Sequence, residues 1–307
     1  MRGFWRSAGL AARIAGERSD LWIPGALASV AFLGWLPFVG AVVPLPNAAD
    51  LAFFGADLYT SSRWPLNAVQ LVAGTLLLLT AASVLVALGE AALLRRLAPN
   101  RPSRSLGDDT ARLWLIHLIA ALPAIAAAAV LVFAIAAVAP GEYQSPDIGG
   151  TLEMRIARDI VPFAALLLVA IVAGQVIGTA ATRHAARPAE IGIAHALGAG
   201  LGDIRRDAWR LIGLAITTLL AYAAALLLAF ALLRVLWSPI EVQLPRGQLG
   251  GPQTLLLLVG FVAIWLCLLV GIGALHAWAS AWWTLELERT ALEEGEGTPS
   301  VEGIGQA

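Results

Sequence analysis

Glu90, His117 and His276 are ionisable side chains set in stretches that otherwise hold almost none. Glu90 stands five residues before Arg95, His117 five after Arg112, and His276 ten before Glu286. Uncharged polar groups accompany them: Gln175, eight before Arg183, and Thr217, seven after Arg210 with Thr218 beside it. On helices rising about 1.5 Å per residue, all of these lie about 7–15 Å from the basic edge of their run. A carboxylate and imidazoles at a common depth can bind a cation or relay protons, and the set then lines a polar vestibule open on the basic side. The same residues can instead hydrogen-bond between helices, each bond contributing about 0.6 kcal/mol, with Glu90 snorkelling to the interface. Their spacing on separate runs has no metal-ligand pattern, so no metal and no cofactor are expected.

The runs that position these groups dominate the chain. Of 307 residues, 59% are hydrophobic and 13% charged, with mean hydropathy +0.79. Soluble domains carry about 25% charged residues. So much apolar surface predicts lipid as the surrounding solvent. Six stretches can cross a bilayer, at about 21–43, 66–94, 113–139, 160–181, 211–237 and 254–285. They lack the apolar–polar alternation of membrane strands, so the expected fold class is all-α with six transmembrane helices. Residues 1–290 read as a single polytopic domain and 291–307 as a disordered acidic tail. The single cysteine, Cys267, excludes an intramolecular disulfide and reads as a small buried hydrophobe.

Every basic residue other than histidine is arginine, and the arginines are unevenly placed. Fifteen fall on one side of the expected spans and five (Arg63, Arg155, Arg158, Arg234, Arg246) on the other. The positive-inside rule predicts both termini in the cytoplasm, with the chain in the cell's inner (plasma) membrane. The first span, about 23 residues after a 20-residue leader, exceeds a signal-peptide apolar core and reads as an uncleaved anchor.

One phrase recurs. LGDDTARLW at 106–114 and LGDIRRDAW at 201–209 share a frame, and AGERSDLW at 15–22 is a shorter copy. Their tryptophans, Trp22, Trp114 and Trp209, open the odd-numbered spans at the basic end, where indole prefers the headgroup level. The repeat is a basic segment, an interfacial tryptophan, a span, an outer loop and a return span. Three copies occupy about 1–94, 95–182 and 183–290, giving three hairpins. The basic segments have the pattern of cytoplasmic amphipathic helices lying on the membrane. In 2–18, Phe4, Ala8, Ala11 and Ala15 oppose Arg2, Arg6, Arg13 and Glu17. In 189–211, Ile193, Leu197, Leu201, Ile204, Ala208 and Leu211 form a stripe, which Gly198, Gly200 and Gly202 weaken or bend. Ser105, with Asp108 three residues on, is an expected N-cap.

Repeated basic segments ending in LGD…W, each followed by a membrane hairpin, resemble six-span bacterial membrane proteins of unknown function. That group is similar to the membrane domain of glycerophosphodiester phosphodiesterases. The resemblance rests on LGDDTARLW, LGDIRRDAW and topology. It implies the six-span fold. The catalytic activity of those enzymes resides in a separate soluble barrel, for which the 18 residues after Arg289 leave no room.

Lesser marks complete the reading. Gly174 and Gly178 form GxxxG, which permits close helix packing within the chain or between copies. Pro24 and Pro162 fall in expected first turns, whereas Pro37 and Pro123 should kink their helices. Trp278, Trp282 and Trp283 read as an interface belt. The loop at about 44–65 is aromatic, and Leu152, Ile156 and Ile160 predict a short surface helix in the second outer loop. No P-loop, HExxH, GxSxG or paired CxxC occurs, and no pattern suggests nucleic acid. The expected function is a non-enzymatic scaffold or accessory subunit. Its expected contacts are anionic lipid headgroups at the Arg-rich segments and a membrane-protein partner or a second copy. A small-molecule or ion transporter using the vestibule is the alternative, and an intramembrane enzyme the second. The parallel sense of the repeats favours the scaffold over a transporter, where inverted repeats are usual.

The orientation predicts a labelling pattern. Cysteines introduced as Arg101→Cys and Ala194→Cys, in a Cys267→Ser background, should react with an impermeant maleimide only after the cytoplasmic face is opened. Reaction in intact cells would reverse the topology.

Overall fold

The computed structural model describes residues 2–43, 50, 54, 57, 59–97, 105–144, 151–186, 192–243 and 252–293. The expectations for the aromatic loop centred near 50 and for the acidic tail lie largely or wholly outside these residues. Among the described residues the chain is helical, with no strand. The helices are α1 (Arg2–Glu17), α2 (Trp22–Ser29), α3 (Trp35–Val42), α4 (Leu66–Leu97), α5 (Leu106–Gln144), α6 (Leu152–Ala185), α7 (Ile193–Gln243) and α8 (Pro252–Glu293). Five of them, α4 to α8, are long and apolar enough to cross a bilayer. Leu77, Leu78, Phe133, Leu227 and Leu256 stand exposed on their surfaces, which only a hydrocarbon solvent tolerates. The protein is a multi-pass helical membrane protein.

The expected first span is helical from Trp22 to Val42, but not as one α-helix. A π-helical stretch, Val30–Gly34, separates α2 from α3. Pro37 is the physical reason. It lacks the N–H that would bond to the Leu33 carbonyl, and its ring crowds that same turn. Pro123 and Pro140, by contrast, lie within an unbroken α5, and Pro162 lies ten residues into α6, not in a first turn. Leu152, Ile156 and Ile160 accordingly belong to the opening turns of α6 and not to a separate surface helix.

The chain forms two compact units. One comprises residues 1–114, 186–188 and 217–307, the other 115–185 and 189–216. In the first, α2 and α3 run antiparallel to α8. A methyl added at Gly25 would strike the Gly273 carbonyl, and one at Gly273 would strike the backbone of Trp22 and Ala26. Farther along, the Trp265 indole donates to the Gly34 carbonyl at 2.9 Å. Phe38 then stacks between Phe261 and Trp265, with ring centroids 5.4 and 5.1 Å away. Helix α4 joins by the same device, since a methyl at Gly89 would strike Ala28 and lie 2.8 Å from the Pro24 carbonyl. Its last third is buried, whereas Leu71 to Ala81 are exposed on every side.

Helix α1 caps the C-terminal end of α8. Ala8, Ala11 and Ala15 are buried as expected, but α8 covers them. Trp282 and Trp283 are buried and Trp278 is half-buried, with its indole on the Ala8 carbonyl at 3.2 Å. These tryptophans are core, not an interface belt. Cys267, expected to be buried, is exposed on α8.

In the second unit the GxxxG pair packs within the chain. A methyl at Gly174 would lie 2.6 Å from the Ala120 carbonyl, and one at Gly178 would lie 3.1 Å from the Ala120 methyl. The basic stretch at the start of α7 meets α6 through Ala196 and Gly200, with a methyl at Gly200 coming 3.0 Å from the Ala181 nitrogen. Glycine does not bend this helix. The break comes at Asp207 (φ −137°, ψ 44°), so the basic stretch and the span are two helices meeting there.

These close approaches predict a steep size dependence. Gly273→Val and Gly174→Val should each destabilise the protein in detergent by about 1–3 kcal/mol. Gly74→Val, with nothing within 4 Å, should leave thermal unfolding unchanged.

Candidate functional site

The polar residues singled out from the sequence divide between the two units. Glu90, Thr217 and His276 belong to the first, His117 and Gln175 to the second. Gln175 is exposed, Thr217 and His117 are half-buried, and a methyl at Gly178 would lie 3.7 Å from His117 Nδ1. Of these, Glu90 and His276 meet directly.

Their meeting follows from the helix packing. Glu90 is the neighbour of Gly89, so the contact that seats α4 on α2 also turns the carboxylate inward. Only 4% of Glu90 is exposed. Its Oε2 lies 2.8 Å from His276 Nε2 on α8, and its Oε1 accepts a hydrogen bond of 3.3 Å from Ser280. The other ring nitrogen, His276 Nδ1, lies 2.9 Å from the Tyr222 hydroxyl of α7. Four side chains on three helices thus form one hydrogen-bonded chain. A carboxylate buried this far from water persists only when its lone pairs are satisfied, and here both oxygens are. Sequence reasoning missed Tyr222 and Ser280. Ser280 follows His276 by four residues and shares its helix face, a signal that was present. Tyr222 had no such marker.

Further polar pairs hold the Arg-rich ends of the helices. Glu286, fully buried in α8, accepts a hydrogen bond from Ser7 of α1, and the Trp282 indole donates to the same Ser7 oxygen at 3.2 Å. Arg95 at the end of α4 pairs with Asp109 of α5 at 2.8 Å. His184 at the end of α6 lies 2.6 Å from Asp203 of α7. Each basic segment is therefore docked on the end of a returning helix. Asp108 and Ser105 form the expected cap, with the Asp108 N–H on the Ser105 oxygen at 3.0 Å.

The three tryptophans differ. Trp22 donates to the Ala15 carbonyl at 2.7 Å and Trp114 to the Ser83 hydroxyl at 2.8 Å, so both are half-buried in protein. Trp209 is 88% exposed. Leu201, on the basic helix before the break at Asp207, is also exposed, as are Arg205 and Arg206. On α1, Arg6 and Arg13 are exposed on the side away from α8. Among the described residues no group of three or more His, Cys, Asp or Glu side chains is placed to hold a metal ion.

No family model, no curated protein and no solved structure matches this chain.

The Glu90 chain should be energetically coupled. Glu90→Ala and His276→Ala should each destabilise the protein by about 1–3 kcal/mol, because each leaves a buried partner unsatisfied. The double variant should lose less than the sum, with a coupling of at least about 0.5 kcal/mol in a double-mutant cycle. Additive losses would mean the two side chains do not interact.

Proposed function

We propose that the protein is a non-enzymatic scaffold or accessory subunit of a bacterial inner membrane, holding anionic lipid, and through it a membrane partner or second copy, at its cytoplasmic face. The observation that carries this reading is the uncovered surface on either side of the Asp207 break in α7. Leu201 and Trp209 are exposed there beside Arg205 and Arg206. Apolar and cationic groups side by side at the mouth of a span suit the boundary between acyl chains and phosphate. Arg6, Arg13 and Arg205 have no ion-pair partner among the described residues, whereas Arg155, Arg158 and Arg234, on the sparse side, are paired with Glu142, Asp159 and Glu241. Arg63, on the sparse side, likewise forms no ion pair among the described residues, so the charge left uncompensated is the greater on the side read as cytoplasmic.

The six-span topology is part of the proposal, and the docking of α1 supports it. Ser7 and Ala8 meet Glu286 and Trp278, so α1 and the end of α8 share a side. Five crossings by α4 to α8 put the start of α4 on the opposite side. The stretch from Trp22 to Val42 must then cross as well, and at about 1.5 Å per residue it is long enough. The equivalent docking of each basic segment on a returning helix supports the three-repeat reading. Glu90 and His276 bind each other, which weakens the vestibule on which a transporter reading depends.

The lipid contact has a direct test. Reconstituted protein should show Trp209 fluorescence quenched by lipids brominated near the headgroup, measured as the difference from Trp209→Phe. Replacing Arg6, Arg13 and Arg205 together by Ala should weaken retention of phosphatidylglycerol over phosphatidylcholine by about a hundredfold, at about 1 kcal/mol per arginine. Unchanged lipid retention in the triple variant would remove the proposal.

A further inference from the structure

The hydrogen-bonded chain Tyr222–His276–Glu90 can be satisfied by two different placements of its protons. We propose that it is a proton-binding relay linking α4, α7 and α8, with the proton itself as the ligand.

The argument begins with Glu90 ionised. Its oxygens can then only accept, so His276 must carry its proton on Nε2 and donate to Oε2 across 2.8 Å. Nδ1 is then an acceptor, and the Tyr222 hydroxyl donates to it across 2.9 Å. Now let one proton arrive at the Tyr222 oxygen. The phenol's own proton passes to Nδ1, and the Nε2 proton passes to Glu90 Oε2. The phenol is restored, the imidazole has changed tautomer, and Glu90 is a neutral carboxylic acid. One proton has entered and none has left. The same heavy-atom contacts remain hydrogen bonds with their directions reversed. Ser280, 3.3 Å from Oε1, serves both states.

The surroundings favour this path over formation of an imidazolium. The neutral end state removes the charge of Glu90 from a place where it is only 4% exposed. Helix α7 brings Tyr222, and α8 brings His276 and Ser280. Helix α2 brings backbone at Pro24 and Ala28 against Gly89, with the nearby Ser29 hydroxyl bonded to the Gly25 carbonyl. Nor is ionisable chemistry required for packing here. Well-packed apolar side chains of similar volume hold helices as well as a buried charged pair or better, and Gly25, Gly89 and Gly273 already supply the close fit.

The relay can be read in the histidine ring itself, with no assay of activity. The full chain would be labelled with 15N-histidine, reconstituted in phosphatidylcholine vesicles and followed by solid-state NMR as pH is lowered. His276, one of four histidines, would be assigned by its loss in His276→Gln. The expected result is a single step in which the ring changes from Nε2–H to Nδ1–H without becoming doubly protonated. Proton uptake measured with an indicator dye should be lower by about one per chain in Glu90→Gln. A doubly protonated ring, or a ring that keeps one tautomer over the whole range in which the protein stays folded, would overturn the proposal. The wild-type spectrum decides the matter even if Glu90→Gln does not fold. Because the vesicles are zwitterionic, the outcome is independent of anionic-lipid binding.

Discussion

Helices surrounded by hydrocarbon gain nothing by hiding leucine from their solvent, because lipid tails are as apolar as leucine. Whatever holds them together must come from closeness of fit and from polar groups with nowhere else to bond. In this protein the two are supplied at the same place. Gly25, Gly89 and Gly273 remove the side chains that would keep α2, α4 and α8 apart, and the backbones approach until a methyl would not fit. Glu90 follows Gly89 directly, so the approach that brings the helices together also takes the carboxylate out of reach of water and delivers it to His276 and Ser280. The rest of the first unit is arranged around that junction. The aromatic layer of Phe38, Phe261 and Trp265 continues the α3–α8 seam toward one end, and α1 closes the unit at the C-terminal end of α8.

Much of this architecture was legible in the sequence, because lipid imposes simple rules. Length and apolarity alone located α4 to α8. The serine cap at 105 and the close packing at Gly174 and Gly178 follow from local patterns that tertiary context did not override, whereas the alanine face of α1, expected on the membrane, is covered by α8. What could not be read is which face meets which. The tryptophans at 278, 282 and 283 have the composition of an interface belt, yet α1 comes back across more than 270 positions of sequence to cover them. The stripe of Ile193, Leu197, Leu201 and Ile204 is expected on the membrane, and the contact with α6 is made at Gly200 instead, where the missing side chain allows the nearer approach. A pattern of apolar residues does not distinguish lipid from protein when both are apolar.

The site shows the same division. Depth in the membrane can be counted from the basic edge, and that count correctly put Glu90 and His276 at compatible heights. It put His117, Gln175 and Thr217 there too, because height carries no information about azimuth or about which helix is adjacent. Only Ser280, on the same face as His276, had a local signature. Tyr222 sits on a helix whose neighbours are unknowable from one sequence, and its role depends wholly on them.

The contact between α1 and α8 has a consequence for how the chain is made. Ser7 and its acceptor Glu286 are 279 residues apart. A ribosome delivers α1 before α8, so α1 waits through the synthesis of the helices between them before its binding surface exists. Its alanine face is uncovered for all of that time, and a helix made ahead of α4 to α7 is fastened in place only after them.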